Sequence, residues 1–326
     1  MQFGFRCSEG GDRYADALQE VVHAEELGFD SAWLAEHHGW DMVWPSPHVA
    51  LAGFATRTET IRLGTSISLL SQTNPVTLAG EANLLDVISG GRFTLGVGVG
   101  WRRREMENLG YDFEARGPRM TEHMEAMKAL WASALASYDG RFVSFEDFEV
   151  SPKAVQSPHP PVWVGGAADV SLKRAAYLGD AWYPIWFDSI DELEAPYERY
   201  DEYVREAGGD PADRERPILR VVGIDEDPNA AREYLAELFA DLVDGYVAQG
   251  MAVPPALQRF RETDFETFAD GRLIYGDPEE CIADIQALRD RLGIDHVVFK
   301  LYFPGVSHER VMAGLDLLAE EVLSHV

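Results

Sequence analysis

A single (β/α)8 TIM barrel with insertions after strands 4 and 7 is the fold this sequence predicts. Three observations predict it. Eight short apolar runs alternate with helix-patterned stretches along the 326 residues. No linker or shift in composition divides residues 1–326 into separate domains. The runs are continuously apolar, as in strands covered on both faces, and not alternating. A doubly wound open sheet is the rival architecture, and the count of eight strands argues against it.

Residues 2–6 form the opening strand, and residues 12–27 an amphipathic helix that Gly28 closes. The second strand, 29–35, delivers Glu36, His37 and His38 into a loop carrying Trp40 and Trp44. Ser46-Pro47 caps a helix to about residue 56. The third strand, 61–67, leads through Asn74-Pro75, an N-cap followed by a first-turn proline, into a helix over 75–88. Gly90-Gly91 stops it, and the fourth strand, 92–97, runs into Gly96, Gly98 and Gly100. Trp101 and three arginines, Arg102, Arg103 and Arg104, precede a helix over 117–136.

Residues 137–161 break the rhythm. Their FVSFEDFEV alternation predicts a small surface hairpin, and SPKAVQSPHPP an extended, proline-stiffened return. Strand five, 162–164, enters Gly165-Gly166-Ala167-Ala168 ahead of a helix over 169–178. Strand six covers 180–185, an acidic helix runs through about 207, and strand seven covers 218–223. Asp227-Pro228 caps a long acidic helix, and an irregular insertion spans roughly 251–273. Asp277-Pro278 caps the next helix, strand eight covers 296–301, and residues 307–323 form the last helix.

The chain carries 56 acidic and 28 basic residues, a formal charge of −28, and only four lysines: Lys128, Lys153, Lys173 and Lys300. Such a field repels nucleic acid and anionic membranes. Acid spread along the helices, with lysine scarce, fits adaptation to high salt, where self-repulsion is screened. The two cysteines, Cys7 and Cys281, form no zinc-type spacing and fit a reducing compartment. No basic-then-apolar leader and no apolar run of about 18 residues is present, so a cytoplasmic protein is expected.

His37 and His38 sit where a strand gives way to a loop, the place a barrel uses for chemistry, and histidine moves protons near neutral pH. Glu36, His37, His38, Asp41 and His48 include metal-ligand types, but adjacent histidines do not converge from a strand end, and no metal is expected. The glycines at 96, 98 and 100 let backbone approach a ligand; a dinucleotide fold would place GxGxxG early in the chain. Gly166, Ala167 and Ala168 would aim amides out of a helix N-terminus, with Ser171 adding a hydroxyl, as an anion site or an ordinary turn. Arg102 to Arg104 either hold an acidic group or pair with Glu105 and Glu107. Trp40, Trp44, Trp101, Trp182, Trp186 and Phe187 gather at strand ends, suited to walling a flat ring. Trp33, Trp131, Met120, Met124 and Met127 fit core positions.

Three blocks carry a resemblance: GFDSAWLAEHH at 28–38, the whole of 62–101, and PPVWVGGAADVSLKRAAYLGDAW at 160–182. The chain resembles the bacterial-luciferase-like superfamily of flavin and deazaflavin oxidoreductases. That resemblance implies a barrel with its cofactor at the C-terminal ends of the strands. His37 would lie beside the cofactor ring, and Ser66-Ile67 would form a cis peptide behind it. Gly98, Val99 and Gly100 would border the ring, and Gly165, Gly166, Ala167, Ala168 and Ser171 would hold phosphate. Val99 stands where luciferase-like members often carry an arginine for the FMN phosphate, and the GVGVGW form is similar to the branch using coenzyme F420. An F420 tail would place its glutamates near Arg102 to Arg104. The expectation is an F420-dependent enzyme acting on a small organic molecule, with His37 catalytic and His38, Trp40, Trp44, Trp101, Trp182 and Trp186 around the substrate. An FMN-dependent monooxygenase is the alternative; a metal-dependent hydrolase or a non-catalytic flavin-binding protein are others. The resemblance also implies a homodimer. Specificity would reside in loops 38–47, 250–272 and 302–307.

Overall fold

The computed structural model describes residues 1–40, 43–248 and 263–326. It opens with β1 (Gln2–Arg6), α1 (Tyr14–Leu27), β2 (Ser31–Leu34), α2 (Pro47–Ala55), β3 (Arg62–Thr65), α3 (Pro75–Ser89) and β4 (Phe93–Val97). Next come α4 (Arg103–Asn108), α5 (Arg116–Ala132), β5 (Ala136–Asp139), β6 (Ser144–Phe148), β7 (Val162–Gly165) and α6 (Asp169–Leu178). The chain continues with β8 (Ala181–Tyr183), α7 (Ile190–Glu206), β9 (Pro217–Ile224) and α8 (Pro228–Ala248). It ends with α9 (Phe265–Ala269), β10 (Ile274–Gly276), α10 (Pro278–Leu292), β11 (His296–Lys300) and α11 (His308–Glu321).

Nine strands form one parallel sheet in the order β10-β9-β11-β1-β2-β3-β4-β7-β8. Its β8 edge lies against β9, so the sheet curls round on itself. β5 and β6 pair antiparallel outside it, where the alternating segment predicted a hairpin. Two boundaries differ from expectation. The helix predicted to 136 ends at Ala132, because Ser133 is extended and Ala136 already pairs with Phe148 in the hairpin. Residues 274–276, unassigned between the expected insertion and the Asp277 cap, form β10, a three-residue strand on β9 too short to show a pattern. Of the insertion expected over 251–273, residues 251–262 lie outside the described residues.

Helix ends follow local chemistry. The Asn74 side chain accepts from the amides of Val76 and Thr77, and Gly90 closes α3 at φ 70°. Ser189 and Asp277 form capping boxes with Glu192 and Glu280. Ser46 departs from expectation: its side chain makes no cap bond.

Inside the curl, Trp33 of β2 stacks on Trp163 of β7 with centroids 4.3 Å apart. These strands are three places apart in the sheet, so the contact crosses the interior. Glycine makes the room. A Cβ on Gly64 would fall 2.1 Å from the Trp33 ring, and one on Gly4 only 2.0 Å from Ser31 Oγ. The indole N–H groups are paired, Trp33 donating to Ser31 Oγ at 2.7 Å and Trp163 to Glu215 at 3.1 Å. Ser31 Oγ in turn lies 2.7 Å from His296 Nε2, and burial holds His296 below its usual pKa. The neutral ring then accepts the serine proton.

Removing this bulk leaves a cavity bounded by rigid strands. Trp33→Ala should therefore cost about 3–5 kcal/mol, read as a lower denaturant midpoint at unchanged slope; a shift too small to resolve would contradict this packing account.

Candidate active site

A cavity of about 260 Å³ opens at the C-terminal ends of the strands. Its wall takes Arg6 from the end of β1, Ala35 to His37 after β2, Ser66 and Ile67 after β3, and Gly98 to Trp101 after β4. Gly165 and Gly166 after β7 and the run from Tyr183 to Phe187 after β8 complete most of it. The surface is mainly apolar with a few convergent polar groups, the composition of a small-molecule site.

His37 is placed by its neighbours. Its amide donates to the Trp44 carbonyl at 3.0 Å, and its Nδ1 lies 2.8 Å from Glu105 Oε2. Glu105 is carried by α4, directly after the glycine-rich loop, and its side chain is 1 % exposed. The same carboxylate accepts the His38 amide at 2.6 Å and sits 3.2 Å from His38 Nδ1. Burial alone would raise the Glu105 pKa, but hydrogen bonds from the two histidines overcome it and hold the group at about 2. An ionised carboxylate accepts only, so Nδ1 of His37 carries a proton. Nε2, without a hydrogen-bond partner among the described residues, is left to give or take one in the cavity.

Sequence reasoning considered Glu105 only as one alternative partner for the neighbouring arginines and missed this role. Nothing in WRRREMENLG distinguishes a buried acid from an exposed one.

The β3–β4 wall is held by close backbone contact. The Ser66-Ile67 peptide is cis. Ser68 N–H donates to the Gly96 carbonyl at 2.8 Å, and Gly98 N–H to that of Ser68 at 2.9 Å. A Cβ on Gly96 would lie 1.9 Å from the Thr65 carbonyl oxygen, and one on Gly98 would lie 1.8 Å from Ile67 Cδ1. Side chains are thus excluded at positions 96 and 98, beside the wall that Ile67, Gly98, Val99 and Gly100 present to the cavity.

Of the residues singled out from sequence, the cavity gathers His37, Ser66, Ile67, Gly98, Val99, Gly100, Trp101, Gly165, Gly166 and Trp186. Trp40 packs beside His37 and Trp101, at 5.2 and 6.1 Å between centroids, and His38 stands behind on Glu105. Ala167 and Ala168 are exposed at the start of α6. Ser171 is buried there, its hydroxyl close against Gly166.

Two tryptophans are corrected. Tyr183 points into the cavity, so its neighbour Trp182 points to the other face of β8, packing on Tyr197 and Tyr200 of α7 and donating to the Gly166 carbonyl at 2.7 Å. Trp44 is buried edge-on against Tyr14, and Val43 takes the place expected for it on the wall. The arginine expectation also changes. Arg102 is buried, donates to the His38 carbonyl at 3.0 Å and lies over Trp40, while Arg103 pairs with Glu107 and Glu114. Arg102 therefore builds the site, and Arg103 and Arg104 are both exposed. Among the described residues no group of three or more acid, histidine or cysteine side chains is placed to hold a metal ion; Asp41 lies outside them.

The sequence profile of the luciferase-like monooxygenase family matches residues 1–296, and the chain belongs to that family. It is an oxidoreductase by that membership. One relative is the oxygenase component of the flavin-dependent trigonelline monooxygenase of Acinetobacter baylyi, 27% identical over 339 residues, covering 95% of this chain and 89% of that protein. Among solved structures, monooxygenase RslO1 from Streptomyces bottropensis superposes with a TM-score of 0.89 at 25% identity, over 100% of this chain and 99% of that one. An F420-dependent secondary alcohol dehydrogenase, solved with an F420-acetone adduct, superposes with a TM-score of 0.83 at 22% identity, over 100% and 99% of the two chains. No helix among the described residues is long and apolar enough to cross a membrane.

The Glu105 cluster has a pH signature. Its carboxyl, held at about 2 against an ordinary 4.5, contributes stability above pH 4.5 that is lost as pH falls toward 2. His38, raised above 6.5 by its bond to Glu105, contributes below pH 6.5 and loses that contribution as pH rises through its own higher value. Glu105→Gln should therefore destabilise most between pH 4.5 and 6.5, by about 3 kcal/mol, in urea melts taken across pH. A destabilisation that is flat from pH 3 to 8 would contradict the ionic account.

Proposed function

We propose that the chain is a coenzyme F420-dependent oxidoreductase on a closed (β/α)8 barrel, cytoplasmic, acting on a small organic substrate. The observation that carries this is the wall itself: the Ser66-Ile67 segment, the closely packed glycine loop and the His37–Glu105 pair meet at one apolar cavity. Those residues fit a flat ring pressed against backbone. A bound deazaflavin supplies hydride transfer at its ring C5. Ser66, Ile67, Gly98, Val99 and Gly100 would hold the ring, and Gly165, Gly166, Ala167, Ala168 and Ser171 the phosphate. His37, oriented by Glu105, holds or moves the substrate proton at Nε2. Trp101 and Trp186 exclude water.

Val99 favours F420 over FMN. It puts an isopropyl group, not a cation, on the cavity wall at the position where the resemblance implies an arginine in many luciferase-like members. FMN is the second reading, favoured by the flavin-dependent monooxygenase among the relatives.

Tryptophan-quenching titrations in concentrated salt separate them: F420 should quench saturably and FMN should not, and the reverse result would move the reaction to oxygen chemistry. His37→Ala should lower turnover by about 10²–10⁴-fold with unchanged circular dichroism; an unaltered rate would remove His37 from the reaction. A homodimer is supported by exposed apolar side chains on two neighbouring helices, Val49 on α2 and Leu84, Val87 and Ile88 on α3. Light scattering should give twice the 36.3 kDa chain mass; a monomer mass would reject it.

A further inference from the structure

We propose that the cavity takes a substrate bearing a carboxylate, gripped by Arg6 together with the paired hydroxyls of Ser66 and Tyr183. The inference rests on the reading of this cavity as the reaction site. All three residues are buried and all three line the cavity.

Arg6 is the last residue of β1, in register with Lys300 of β11. Glu9 lies between the two cations, accepting from Arg6 Nε at 2.6 Å through one oxygen and from Lys300 Nζ at 3.3 Å through the other. The carboxylate thus fixes both cations, and Arg6 is the one of the two that lines the cavity. Burial, and after it the charge of Arg6, brings the Lys300 ammonium down to about 8, so the attraction of Glu9 does not offset them. Positive potential is felt more strongly at buried side chains such as these than at the solvated surface. In a chain with 56 acidic and 28 basic residues, placing two of the bases together here is a large departure from the surface pattern.

Tyr183 Oη and Ser66 Oγ lie 3.2 Å apart. Two hydroxyls own two protons, and their mutual bond uses one. The other has no acceptor among the described residues and is available to a ligand oxygen. Arg6 lines the same cavity as the hydroxyl pair.

This end of the cavity therefore offers donors. A carboxylate is acceptor-only and matches it; a primary amide would bring N–H groups that find no partner. Glu36, the acid among the lining residues, is turned onto the Leu69 amide at 3.0 Å and does not belong to this group. Beyond the polar corner, Trp101, Ile185, Trp186, Phe187 and Leu219 offer an apolar surface. An apolar or aromatic body with one carboxylate fits both parts.

The test uses benzoate and its neutral isostere benzamide, titrated into the purified protein by intrinsic fluorescence, with and without F420 or FMN. Benzoate should bind at least tenfold tighter than benzamide. Tyr183→Phe and Ser66→Ala should each weaken benzoate three- to tenfold and leave benzamide unchanged. Arg6→Gln should remove the preference; because it strands Glu9, the double variant Arg6→Gln/Glu9→Gln, checked by near-ultraviolet circular dichroism, serves as its folded counterpart. Equal affinity for the two probes would overturn the proposal, as would benzoate binding that both hydroxyl variants leave unaltered. The outcomes separate the two readings. Selective benzoate binding without affinity for F420 or FMN would sink the cofactor assignment and keep the carboxylate site, whereas cofactor binding without benzoate preference would sink the carboxylate site alone.

Discussion

The stacked indoles of Trp33 and Trp163 set the geometry on which the rest depends. Two of the largest side chains meet across the interior of a curled sheet, and strands β1 and β3 accommodate them only by offering glycine at Gly4 and Gly64. Their N–H groups are committed to Ser31 and Glu215, so neither ring can rotate without stranding a buried donor. Tyr183 rests on both, with centroids 6.3 and 5.4 Å away, and its hydroxyl reaches the cavity. The packed interior thereby becomes the support of the site, and the open volume begins where the indoles end.

Charge is used sparingly in the same way. Against the acidic surface, several of the few basic side chains are buried, among them Arg6, Arg102 and Lys300, and each sits beside a carboxylate that fixes its position. Arg102 lies against Glu105 and the His38 carbonyl, so the acid that orients His37 is itself held. Removing one member of such a set leaves an uncompensated buried charge, which is why they move as units. The cations are therefore positioning devices within the site, while the exposed acids answer to the solvent.

Much of this was legible in the sequence because local chemistry and tertiary structure agree. Asn74-Pro75, Gly90 and Asp277-Pro278 mark helix ends by side-chain and backbone requirements that need no distant partner. The gathering of His37, the Ser66-Ile67 segment, the glycine loop and Gly165-Gly166 follows from parallel strands whose C-terminal ends share one rim. What stayed hidden is what depends on facing. In a strand apolar on both sides, nothing in AWY tells which residue looks inward, so Trp182 was assigned to the cavity and Tyr183 was not. Trp44 failed for the related reason that a buried indole in a loop can satisfy its packing against Tyr14 as well as against a ligand. Glu105 was obscured by a neighbouring run of charges whose surface pairing, as in Arg103 with Glu107, is real one turn away.

Two sets of polar atoms share the cavity, and their chemistry differs. His37, oriented by its Nδ1–H bond to a buried carboxylate, can accept or donate at Nε2. Arg6 and the Ser66–Tyr183 pair come from β1, β3 and β8 and offer donors with positive charge. A ligand with acceptor oxygens at one end and an exchangeable proton at the other satisfies both sets in one orientation and leaves donors unmatched in the reverse one. Unmatched buried donors cost more than a made hydrogen bond returns, so orientation is selected chiefly by penalty. The apolar surface between them, Trp186, Phe187 and Leu219, contributes affinity without preference for either direction.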